Sequence, residues 1–199
     1  DVFIAKYDSS GSFIWAKSFG SIALDRLTDI DSHDGINLSV SGYYSDTLIV
    51  DPDLDTLFSA GTSDILVARL DSSGNIEWAK GFGSQEFDQA NGIATDDNGN
   101  IYLTGFFADE VDFGDITIES LGEEDIFIAK FDDEGDCLWA RAAGSTSGSD
   151  NASAIACSPV GDLYLTGSYS STIYFSGSDS LVSTGTRDAF FVSYDANGD

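Results

Sequence analysis

The feature that most constrains this chain is that it repeats itself. The segment Asp1-Val-Phe-Ile-Ala-Lys-Tyr-Asp8 returns as Asp64-Ile-Leu-Val-Ala-Arg-Leu-Asp71, as Asp125-Ile-Phe-Ile-Ala-Lys-Phe-Asp132 and as Asp188-Ala-Phe-Phe-Val-Ser-Tyr-Asp195, in steps of 63, 61 and 63 residues. Other landmarks keep the same step: Trp15, Trp78 and Trp139; Gly20, Gly83 and Gly144, each followed by Ser; Asp25, Asp88 and Asp150; and Gly42, Gly105 and Gly167. A fixed period of this kind means one supersecondary unit per copy, which buries its apolar faces only against its neighbours. The repeat region is read as a single stretch, 1–199, with units at 1–63, 64–124, 125–187 and a partial fourth at 188–199.

The units read as β-structure. No stretch carries a 3.6-residue apolar period with helix caps. Residues 2–7, 65–70, 126–131 and 189–194 are nearly continuous apolar or β-branched runs, as strands covered on both faces require. The run 101–107 has copies at 37–44 and 163–169. Turns of the form Asp-x-x-Gly, such as Asp71-Ser-Ser-Gly74 and Asp132-Asp-Glu-Gly135, join them: Asp caps its own backbone and Gly supplies positive φ. The second full unit is therefore four antiparallel strands at about 90–96, 100–107, 125–131 and 136–142, with an extra short hairpin in 108–124. Such sheets need like neighbours on both sides, so the fold class is all-β, tandem four-stranded antiparallel blades, β-propeller-like.

Charge limits the partners. Thirty-five acidic residues face eight basic ones, a net charge of −27, which repels nucleic acid and anionic lipid. Solubility explains the excess; the alternative is divalent-cation binding, with calcium the ion to expect. No run reaches the roughly 18 to 20 apolar residues of a membrane helix. The chain lacks Met and starts at Asp1, so it is expected to be a processed form or a piece of something longer. Six of the eight basic residues fall in register, Lys6, Arg69 and Lys130 in one set and Lys17, Lys80 and Arg141 in the other. Each is expected to meet a repeated carboxylate.

Candidate sites are few. His33, the single histidine, has no nucleophile constellation around it and is read as a surface residue. The acidic excursion Asp109, Glu110, Asp112 and Asp115 is the metal candidate, although no EF-hand spacing is present. Tyr43, Tyr44, Phe106, Phe107 and Tyr169, just past the repeated glycines, are the ligand candidates. Trp15, Trp78 and Trp139, with Gly42, Gly105 and Gly167, are read as structural anchors, because they recur in every copy. Cys137 and Cys157 fall on strands about 14 Å apart at 4.8 Å spacing. A disulfide needs Cα atoms within about 7 Å, so two free thiols are expected.

The pattern of Asp-[Val/Ile]-Phe through Asp-x-x-Gly to Trp-Ala, then Gly-Ser, an Asp, and Tyr-Leu-Thr-Gly, resembles the bacterial seven-bladed β-propeller repeat of the SBBP type, over essentially the whole chain. The resemblance implies a secreted or cell-surface protein; no cofactor is expected for certain, calcium being the one to consider. Closure needs about four blades, and four units would need about 248 residues. An arc of about three blades, part of a larger or oligomeric ring, is therefore expected. The leading functional reading is a non-enzymatic scaffold for adhesion or for protein or glycan binding through variable loops 45–63, 108–124 and 170–187. The first alternative is an assembly element joining copies through open blade edges. The second is a propeller hydrolase of the sialidase or glycosidase kind, which predicts a cluster of non-repeated acids in a pocket.

Overall fold

The computed structural model describes residues 1–32, 35–50, 56–176 and 179–199. The chain starts with an antiparallel pair, β1 (Val2–Tyr7) and β2 (Phe13–Phe19). The first full blade follows: β3 (Arg26–Asp31), β4 (Leu38–Tyr44), a short hairpin of β5 (Thr47–Ile49) and β6 (Thr56–Phe58), then β7 (Asp64–Leu70) and β8 (Ile76–Phe82). The second blade repeats it with β9 (Gln89–Thr95), β10 (Ile101–Phe107), the hairpin β11 (Glu110–Asp112) and β12 (Thr117–Glu119), then β13 (Asp125–Phe131) and β14 (Cys137–Ala143). The third has β15 (Asn151–Cys157), β16 (Leu163–Tyr169), the hairpin β17 (Thr172–Ser176) and β18 (Asp179–Val182), and β19 (Asp188–Tyr194). Sheet orders are β3-β4-β7-β8, β9-β10-β13-β14 and β15-β16-β19, every neighbour antiparallel. The chain is all-β and propeller-like, and the four strands of the second blade match the expected ones within a residue or two.

Each sequence unit begins at a blade's third strand, so one repeat spans two neighbouring blades. The apolar runs alternate sides, as a pleated strand must. In β13, Phe127, Ala129 and Phe131 join the core shared with the first blade, while Ile126 and Ile128 join the core shared with the third. In β7, Ile65 and Val67 face the second blade, and Leu66, Ala68 and Leu70 face the β1–β2 pair. The short hairpins fill the outer part of these seams with one apolar residue at the same place in each copy, Leu48, Val111 and Ile173, all fully buried.

The repeated Gly42, Gly105 and Gly167 have a local cause. The first and second strands of each blade slip register beside them, and the bulged strand presses a carbonyl onto the Gly Cα. A Cβ there would come within 1.9 to 2.0 Å of the Arg26, Gln89 or Asn151 oxygen, so any larger residue would force the bulge open.

The tryptophans anchor blade to blade. Trp15, Trp78 and Trp139 donate their indole N–H to the Ser72, Asp133 and Ala196 carbonyls, at 3.1, 2.9 and 3.3 Å. Each acceptor lies in the Asp-x-x-Gly turn of the following blade, and each ring lies flat on the turn's glycine, Gly74, Gly135 or Gly198.

The basic residues correct an expectation. What recurs opposite the third-strand cation is this same turn carbonyl: Lys6 Nζ to Ser72 O, Arg69 Nη1 to Asp133 O and Lys130 Nζ to Ala196 O, at 3.3 to 3.4 Å. Arg69 also meets Glu77 at 3.2 Å and Lys80 meets Asp136 at 2.8 Å, but Glu77 stands where the other copies have Ile14 and Leu138, and Asp136 recurs only as Asp199, with Ser12 and Asn75 in the other two copies. Lys17 reaches the Asn75 amide oxygen, and Arg141 lies over Trp139. The turn backbone is constant between copies while its side chains vary, so the backbone is what a repeated cation can rely on. Cys137 and Cys157 are free thiols, as expected. Burial pushes their pKa values to about 12 and about 11.

Candidate functional site

The loops at one end of the blades meet pairwise across each seam. Ser63 bridges Phe87 and Glu124 bridges Ser149, both in parallel register. The main chain is cross-linked there: Thr62 N–H donates to Glu86 O, Asp88 N–H to Ser63 O and Asp150 N–H to Glu124 O, at 3.1, 3.0 and 2.7 Å. Where β10 gives way to its hairpin, Asp109 takes a φ of 55°, as do Asp46 and Ser171 at the same place in the other copies (62° and 61°). Asp and Ser tolerate this left-handed turn better than branched residues do.

Between the two seams lies a pocket of about 350 Å3, lined by Glu86, Asp109, Glu123 and Glu124 together with Phe87, Ala108, Gly122 and Ser149. Phe87 forms its apolar side and is backed by Tyr43 and Phe106, with ring centroids 5.6 and 5.7 Å away. Ser149 Oγ donates to Glu123 Oε2 at 3.4 Å. Three of the four acids break the repeat. Glu86 stands where the other copies have Ala23 and Gly148, Glu123 where they have Thr62 and Thr186, and Glu124 where they have Ser63 and Arg187. Among the described residues no three His, Cys, Asp or Glu side chains converge as a metal ligand set. The pocket thus offers a spread negative field beside an aromatic face, which suits an ammonium or guanidinium group on an aliphatic stem.

The residues expected to bind ligand are placed differently. Tyr43, Tyr44, Phe106, Phe107 and Tyr169 are all buried, none more than 7% exposed. They sit just past the repeated glycine, where the second strand enters the seam, so they are core and offer no face to a ligand. Asp109, Glu110, Asp112 and Asp115 do not form a metal site either. Glu110 and Asp112 point outward from β11 with buried Val111 between them, and the Asp112 carboxylate accepts from the Thr117 hydroxyl across the hairpin. Of these four only Asp109 lines the pocket. His33 lies outside the described residues. Glu86, Glu123 and Glu124 were legible as departures from the repeat, had the copies been compared for what differs as well as for what recurs.

Comparison with known proteins agrees with the blades. Residues 77–105 match the family model for SBBP, a beta-propeller repeat. The chain is all-β and propeller-like, and those residues match a β-propeller repeat. The match covers the outer strand β8, the seam loop and the first two strands of the second blade. The chain is also similar to a WD repeat-containing protein of Acanthamoeba polyphaga mimivirus, 24% identical over 213 residues, covering 93% of this chain and 15% of that protein. It is similar to regulatory protein FlaEY of Caulobacter vibrioides, 28% identical over 139 residues, covering 68% of this chain and 14% of that protein. The chain thus spans about one seventh of the length of the curated relatives it matches.

Proposed function

We propose that this propeller-repeat chain is a non-enzymatic scaffold, secreted or on a bacterial surface, that binds a protein partner through the acidic pocket at its loop end. The observation that supports this reading is the break in repeat symmetry: a rigid frame repeats everywhere, and Glu86, Glu123 and Glu124 depart from it together around one cavity, a cluster that a glycoside hydrolase would also present and that turnover of a glycoside by this chain would reassign to one. Frame residues are held alike in every copy by the same packing, whereas residues shaped by a partner have no reason to recur. The chemistry selects a segment bearing Lys or Arg, whose stem packs on Phe87 while its charge meets the carboxylates. Glycans carrying free amino groups present the same chemistry more weakly. Adhesion is the use such a scaffold serves.

The test is titration with a Lys/Arg-rich peptide, comparing Glu123→Gln/Glu124→Gln with Glu110→Gln/Asp112→Asn. Both double variants remove two exposed or half-exposed negative charges from the same end of the second blade. The pocket pair is expected to weaken binding about tenfold or more and the hairpin pair to leave it nearly unchanged. Equal losses would mean that the peptide feels only the net charge of −27.

A second reading, assembly through blade faces, rests on a separate observation. Phe3 and Phe191 are 76% and 71% exposed, while the residues at their places in the second blade, Phe127 and Ile128, are buried. The β1–β2 pair holds the third and fourth strand positions of a blade, so a second copy presenting that pair would cover the open third blade. Light scattering tests it: a dimer or larger ring that Phe191→Lys converts to monomer supports assembly, and a monomer throughout rules it out.

A further inference from the structure

Beneath the pocket, each seam buries two carboxyl groups. Asp64 opens β7 and Asp88 precedes β9; Asp125 opens β13 and Asp150 precedes β15. All four are at most 3% exposed. The parallel bridges one residue earlier in each strand set the members of a pair side by side across the seam. The repeated Gly-Ser of the outer strand exists to receive them: a Cβ on Gly83 or Gly144 would lie 2.4 Å from the Asp64 Cγ or 2.0 Å from the Asp125 Oδ1.

The two members of each pair are not equally provided with donors. Asp88 accepts from Ser84 N–H, Ser84 Oγ–H and Ala108 N–H. Asp125 accepts from Leu121, Gly122 and Ser145 N–H. Their partners are poorer. Asp64 Oδ2 accepts from Ala60 N–H, but Asp64 Oδ1 is buried with no hydrogen-bond partner. Asp150 Oδ1 accepts from Ser170 N–H, but Asp150 Oδ2 is buried and likewise unpartnered.

The orphan at Asp150 traces to one inserted residue. Ser21 and Asp25 are four apart, as are Ser84 and Asp88, and in both loops the serine N–H and hydroxyl cap the aspartate. Ser145 and Asp150 are five apart. There the serine N–H goes to Asp125 and its hydroxyl to Ser147 O, so Ser145 gives Asp150 only a looser contact.

A buried carboxylate oxygen with no donor from the protein bears much of the cost of its charge, and a like charge next to it adds to that cost. We propose that Asp64 and Asp150 are proton-binding sites in the seam between two blades, each taking up its proton at a higher pH than the turn aspartates do, so that mild acid tightens the blades and loss of those protons loosens them. Burial is the largest cause and raises the pKa of all four groups against the hydrogen bonds that lower it, with a smaller upward push from Asp88 on Asp64, from Asp109 on Asp88 and from Asp150 on Asp125. The charged or titratable neighbours are Asp88 and Tyr44 for Asp64, Asp109 for Asp88, and Asp125 with the exposed Arg187 for Asp150. Arg187 works against protonation but reaches the seam from outside, donating to Ser149 O.

The direction of the pH effect follows. A carboxyl group that holds its proton more tightly folded than unfolded favours the folded state as pH falls through its folded value, and that advantage is lost as pH rises above it. The turn aspartates act oppositely: hydrogen bonds from Asn75 and from Asp199 hold Asp71 and Asp195 below the usual carboxylate range, so their contribution fails at still lower pH. Stability therefore peaks in mild acid.

The experiment reads protonation and stability separately. The carboxyl 13C resonances of Asp64 and Asp150 in the intact chain are expected to titrate at higher pH than those of Asp71 and Asp195. The melting temperature is expected to fall as the pH rises through that titration. Asp64→Asn and Asp150→Asn, which keep an acceptor for Ala60 and Ser170, are expected to raise it at pH 8 and flatten its slope. Asp97→Asn removes the same charge from an exposed turn position and is expected to leave the slope in place. Resonances of Asp64 and Asp150 that titrate together with those of Asp71 and Asp195, or an equal gain from Asp97→Asn, would overturn the proposal. Should either Asn variant fail to fold, the resonances of the unmodified chain decide alone.

Discussion

The second and third blades are written in nearly the same residues and live in different surroundings. Tyr102 and Tyr164 are the same position of the Tyr-Leu-Thr-Gly strand, yet the first is fully buried and the second 43% exposed. The second blade has a neighbour on each side, and the third has one only. Burial in this molecule is thus a property of the seam and not of the unit, as expected where stability is a sum of copies and nearest-neighbour interfaces.

The sharpest way to break the comparison is to truncate one ring on each blade. Phe127→Ala empties a fully enclosed site in the seam between the first and second blades and should cost about 3–5 kcal/mol. Phe191→Ala, on the open face, should cost under about 0.5 kcal/mol. Denaturant titration of both variants checks this, and similar losses would mean that the third blade's face is covered in solution. A smaller difference separates two turn glycines. Gly11 and Gly135 have φ of 82° and 81°, but a Cβ on Gly11 meets open space while one on Gly135 lies 3.1 Å from the Trp78 ring. Gly11→Ala should cost about 1 kcal/mol for the left-handed backbone alone. Gly135→Ala should cost about 1 kcal/mol more, because the indole must back away from its turn. The smallest effect is expected at Lys80→Gln, which breaks the exposed contact to Asp136: about 0.2–1 kcal/mol, shrinking as salt is added.

The frame was readable from the residues because its causes are local and repeated. Alternating burial on both faces writes itself as an unbroken apolar run, and a hairpin turn writes itself as Asp-x-x-Gly. The site was harder to read because its causes lie between copies. Tyr43 and Phe106 looked like ligand residues by position after a glycine, but Phe87 of the seam loop packs on both rings. The acids of the pocket come from three separate loops, and only the seam brings Glu86 within reach of Glu123 and Glu124. The buried acid pairs were visible as in-register aspartates, yet nothing in a linear spacing shows that residue 64 stands beside residue 88. The cations illustrate the same limit, since a carbonyl partner has no letter of its own.

The tryptophan clasp bears on how such chains change over generations. Each indole grips the bare peptide bond and the glycine of the next turn, and asks nothing of that turn's variable side chains. Any copy can therefore follow any other. A gene that gains or loses a copy by misaligned recombination yields a product in which every joint still fits, while the loops at the joints remain free to diverge.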